Sequence, residues 1–128
     1  MLPQDVALAK ALGAHSPSVQ EANKTASKHG VDIILGGHDH LNFVTKGVTS
    51  WENYDITQDV LGAEDDKGDI LIIKSGNDFR DLSEFTLELE DTPEGSVRKK
   101  LIKSMRGNSY ITENNIVSDG TLKAFTTR

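Results

Sequence analysis

Cysteine is absent from the 128 residues. That excludes a disulfide framework and any thiolate metal site, so a bound metal would have to be held by His, Asp, Glu or Asn. The same absence is compatible with the cytoplasm. A basic surplus is lacking too: 14 Lys and Arg stand against 20 Asp and Glu, for a formal net charge of −6. With no basic cluster to meet a phosphate backbone, nucleic acid is not expected as a partner. No run of about 18 apolar residues occurs, and the opening MLPQDVALAK has neither a charged leader nor a long apolar stretch. No export signal or membrane partner is therefore expected. A hydrophobic content of 36% suffices for one modest core, which implies one domain or part of one.

What is present begins with a helical pattern. Pro3-Gln4-Asp5 suits a first turn, Val6, Leu8, Ala9 and Leu12 can share an inner face, and Gly13 ends the run. A second helix is predicted from Ser16-Pro17 through SVQEANKTASKH to Gly30, a residue type favoured after a helix. The following VDIIL reads as a strand buried on both faces, and helix followed by buried strand implies an α/β layer. Beyond it, LNFVTKGVTS, DILIIKSG and DLSEFTLELE are rich in β formers. Phe85, Leu87 and Leu89 alternate with Glu84, Thr86, Glu88 and Glu90, so one side of that strand should be buried. WENYDITQDVLGAEDDKGD is a polar connection with room for a short strand, its charges forming a solvated face. SVRKKLIKSMRGN fits either a helix or the second arm of a hairpin turning at TPEG, and the hairpin is preferred. DGTLKAFTTR could start a helix. No repeat or low-complexity tract occurs.

The chemistry concentrates in VDIILGGHDH. In extended backbone, residues two apart point to the same side, so His38 and His40 can face one site while Asp39 turns away. Ligands in open α/β sheets gather at the carboxyl ends of strands, where this pair would lie. Neutral imidazoles suit Zn, Mn, Fe or Co, and Gly36 and Gly37 permit a sharp turn. A His-x-His alone serves structural roles just as well.

The run DIILGGHDH resembles the Gly-His-x-His motif that closes the calcineurin-like metallophosphoesterase domain, in the form found in its 5′-nucleotidase-like branch. MLPQDVALAKAL resembles the helix start before that strand, and ILIIKSGNDFRDLSEFTLELE the strand pair after it, so the likeness covers most of the chain. The resemblance implies an α/β fold that is the C-terminal portion of a four-layer α/β/β/α sandwich, with two divalent ions between its sheets. It also implies hydrolysis of phosphate monoesters, nucleotides in particular. His38 would ligate one ion and His40 the other. Two ions about 3.5–4 Å apart can activate a bridging water and hold phosphate oxygens for in-line attack. Residues 1–106 would form the C-terminal part of the catalytic domain and residues 107–128 a tail or linker.

The family's Asp-x-His, Gly-Asp and Gly-Asn-His motifs have no counterpart in the right order. Gly68-Asp69 and Gly76-Asn77-Asp78 follow the histidines and read as turns. The family's isolated histidine falls just before a methionine matching Met1, so the chain is expected to begin immediately after that ligand, to be inactive alone and to associate through open sheet edges. His15 and His29 are expected at the surface, and Asp39 is expected to fix the loop by hydrogen bonding. Arg80 could bind a substrate phosphate or pair with Asp78 or Asp81. Trp51 and Tyr54 could stack a nucleobase or simply pack. Two alternatives to the phosphoesterase stay open: a non-catalytic interaction or remnant domain, and a small His-only metal-binding module.

Overall fold

The computed structural model describes residues 1–37, 39–77 and 80–111. Among them are one α-helix and two three-stranded mixed sheets. Helix α1, Leu2–Leu12, carries Pro at its start, Asp5 in its first turn and Lys10 in its last, matching the helix dipole. Gly13 closes it at φ 70°, its N–H donating to the Ala9 and Lys10 carbonyls. Leu2, Val6 and Ala9 are its buried residues, whereas Leu8 and Leu12, expected inward, are exposed. Two residues turn a helix by about 200°, which places Leu8 opposite Val6.

The predicted second helix does not form. Only two 3-10 turns occur, Pro17–Val19 and Thr25–Ser27, separated by Lys24 in the left-handed region at φ 52°. Short polar side chains compete for the backbone: Asn23 donates to the Val19 carbonyl and Ser27 to that of Lys24. Gly30 is not a helix cap. A Cβ there would collide with the Leu12 carbonyl and the Arg98 guanidinium.

In the first sheet β1, Ile34–Gly36, runs parallel to β4, Ile72–Ser75, whose other side pairs antiparallel with β2, Asn42–Val44. The expectation that VDIIL is buried on both faces is corrected. Ile33 and Ile34 reach opposite core clusters, but β1 is a short edge strand and Leu35 is 68% exposed. The strand covered on both faces is β4. Ile70 and Ile72 join Leu2, Val6, Ala9 and Phe43 beneath α1, while Leu71 and Ile73 join Val44, Ile102 and Met105 on the other side.

The second sheet covers that other side. In it β3, Ser50–Glu52, runs parallel to β6, Lys100–Ile111, and β5, Asp81–Asp91, pairs with β6 as the expected antiparallel hairpin. A register shift at Glu88/Leu89 interrupts the alternation, so Phe85 and Leu87 pack inward while Leu89 is 51% exposed. Strand β6 continues through Arg106. Residues 112–128, including DGTLKAFTTR, lie outside the described residues, and no helix among those described is long and apolar enough to cross a membrane.

Candidate functional site

The loop after β1 is built on close packing. A Cβ on Gly36 would sit 3.0 Å from Cγ of Lys74, its partner across the sheet, so the missing side chain lets the lysine stem pass; nothing lies within 4 Å of one on Gly37. The Asp39 N–H donates to the Gly37 carbonyl at 3.0 Å, and exposed His40 adopts φ 53°, unusual for a residue with a side chain. The extended-backbone argument for placing His38 and His40 on one side therefore does not describe His40, where the chain turns. His38 lies outside the described residues.

Beneath the loop is a charged cluster that the sequence did not announce. Lys74 is fully buried, and its Nζ lies 2.6 Å from Asp5 Oδ2 on α1 and 2.7 Å from both carboxylate oxygens of Asp39, with its hydrogen bond directed to Oδ2. Burial would depress the ammonium's pKa, but hydrogen bonds and charge from Asp39 and Asp5 outweigh it, so the net shift is upward. The same hydrogen bond pulls the Asp39 carboxyl below its ordinary range. Asp39, expected to hydrogen-bond from this loop, does so with Lys74. From sequence DILIIKSG reads only as a strand; the signal it carries is a lysine closing a run of four apolar residues.

A second polar chain touches His40. With the Asn77 amide oriented by its neighbours, Nδ2 donates to His40 Nδ1 at 3.0 Å, and Oδ1 accepts from Arg80 Nη1 at 3.0 Å and Nη2 at 3.2 Å. An accepting Nδ1 leaves the proton of a neutral His40 on Nε2. Metal ligation through Nε2 would therefore require Asn77 to turn its amide and accept from Nδ1–H. Arg80 Nε and Nη2 also donate to the Asp81 carboxylate at 3.2 and 3.1 Å, the pairing expected as an alternative to phosphate binding. Asp78 lies outside the described residues. Burial of Asp81 pushes its pKa up, but the bonds from Arg80 and the Asn77 N–H prevail and lower it. Gly68 at φ 79° and Gly76 at φ 99° take the left-handed backbone that suits glycine.

The other candidates take structural positions. His15 is not a surface residue: it is half-buried, with Nδ1 2.7 Å from Thr25 Oγ1. Burial, followed by the positive charges of Arg98 and Lys28, depresses its pKa. His29 is exposed. Trp51 packs at 6.3 Å from Phe85 and donates from Nε1 to Ser109 Oγ at 2.8 Å, while Tyr54 packs against both core clusters.

Among the described residues, no three His, Asp or Glu side chains gather as a metal group. His40 can offer one imidazole, but these residues do not build a dinuclear centre. No family model, curated protein or solved structure matches the chain.

Proposed function

We propose that the chain is the C-terminal portion of a calcineurin-like metallophosphoesterase domain of the 5′-nucleotidase-like kind, hydrolysing nucleotide phosphate monoesters. The carrying observation is the Gly36-Gly37-His38-Asp39-His40 run, which leaves the carboxyl end of a strand in a helix-covered sheet. The order helix, first sheet, second sheet supports this reading as far as a mixed α/β fold with one helix and two sheets goes. On this reading His38 and His40 contribute closing ligands for two divalent ions, Zn, Mn, Fe or Co, and the other ligands come from residues outside this chain. Arg80, poised beside His40 through Asn77, is the candidate contact for a substrate phosphate.

One observation favours a second reading, a non-catalytic interaction domain: the described residues assemble no three-donor group. Metal content and turnover of a nucleoside monophosphate, measured on the complete protein and its His38→Ala and His40→Ala variants, separate the two. The phosphoesterase reading expects each variant to lose metal and activity. Full activity with unchanged metal content in both would overturn it.

A further inference from the structure

We propose that Lys74 is the positioning residue for Asp39 and His40 after β1, holding His40 in its direction by gripping Asp39. Burying an ammonium is costly unless it is paired and hydrogen-bonded, and Lys74 meets two carboxylates on different elements. Asp5 ties it to α1 and Asp39 ties it to the loop, so one side chain of β4 links the helix, the sheet and the candidate site. The Lys74 stem also fills the space that a side chain at Gly36 would need, which gives that glycine a packing role.

The geometry makes the anchor directional. Asp39 is bonded directly to His40, and the left-handed turn at His40 follows the point where the chain is gripped. Three residues beyond Lys74, Asn77 meets the His40 ring at Nδ1. The carboxyl end of β4 therefore holds residue 39 by charge and residue 40 by a ring hydrogen bond. Loss of the Lys74 grip should release both the backbone turn and the ring. The catalytic meaning of this anchor rests on the phosphoesterase reading; the anchor itself does not.

The test is nuclear magnetic resonance on the 128-residue chain without added metal or substrate, comparing wild type with Lys74→Met, Asp39→Asn and Asp5→Asn. For Lys74→Met and Asp39→Asn, the backbone order parameters of Gly37, Asp39 and His40 should fall from about 0.85 to below 0.6. The His40 ring nitrogen shifts should move toward the average of the two tautomers, while those of His15 stay fixed. Asp5→Asn should leave the loop rigid and His40 unchanged, because the Lys74–Asp39 contact survives. A rigid loop with unaltered His40 shifts in Asp39→Asn would overturn the proposal, even if Lys74→Met failed to fold. Loosening by Asp5→Asn equal to that by Asp39→Asn would also overturn it, by showing general loss of packing. Failure of the phosphoesterase reading would instead appear in the metal and turnover measurements, with these shifts unaffected.

Discussion

The guanidinium of Arg98 occupies the space in which a side chain on Gly30 would stand. It donates to the carbonyls of Lys28, Val31 and Leu12 at 3.0, 3.2 and 3.4 Å and to Asp32 Oδ1 at 3.2 Å, joining the β5–β6 hairpin to the segment after α1. Removing it strands several carbonyl acceptors together, so Arg98→Met should cost about 2–4 kcal/mol, read as a lower denaturant midpoint at unchanged m-value. Arg98→Lys should recover only part of this, because one ammonium cannot reproduce the fork. Gly30→Ala should destabilise as well, because its methyl would collide with the Leu12 carbonyl oxygen and displace the same guanidinium.

Trp51, the sole tryptophan, stacks its six-membered ring over Gly107, its register partner on β6. A methyl at Gly107 would push the ring aside and break its bond to Ser109. Gly107→Ala should therefore shift the tryptophan emission and cost about 1–3 kcal/mol, the range for overpacking. Gly37→Ala, with open space around the added methyl, should leave the emission unchanged.

Local pattern identified α1, the β-rich second half and the β5–β6 hairpin, because period and turn chemistry act within a few residues. It misjudged the segment from Ser16 to Gly30, where side-chain bonds from Asn23 and Ser27 compete with helix and Gly30 answers to Arg98, far away in sequence. It also assigned two-sided burial to VDIIL rather than to β4, since apolar content cannot distinguish an edge strand from a central one. At the candidate site, the role of Asp39 followed from its place between two histidines. Its partner did not: the Lys74–Asp39 contact spans 35 residues, and the lysine stands in a strand with no motif around it.

Two pH dependences follow from the shifted groups. The lowered pKa of His15 means that the unfolded chain takes up a proton first as pH falls below 6.5, so stability should decline with acidification until the folded-state value is passed. His15→Gln should flatten that part of the curve in denaturant titrations. Asp39, also lowered, contributes stability above its ordinary 3.8 that disappears as pH falls through its folded value. Lys74 is raised, so its contribution is complete below 10.5 and disappears as pH climbs through the higher folded value. In Lys74→Met the alkaline loss should vanish.

The 128-residue chain on its own should not hydrolyse a nucleoside monophosphate measurably. A two-metal mechanism needs two cations held a few ångströms apart against their repulsion, which takes bridging and flanking carboxylates as well as imidazoles. Among the described residues Asp39 and Asp5 are engaged by Lys74, Asp81 by Arg80, and no three donors converge. The ring of His40 meets Asn77 through Nδ1, so even its own ligation has to displace an existing hydrogen bond. Phosphate release from purified chain in the presence of manganese or zinc should equal the no-protein blank. Sustained metal-dependent release, abolished by His40→Ala, would mean that this chain builds a sufficient centre by itself, and the proposal that its remaining ligands lie elsewhere would fail.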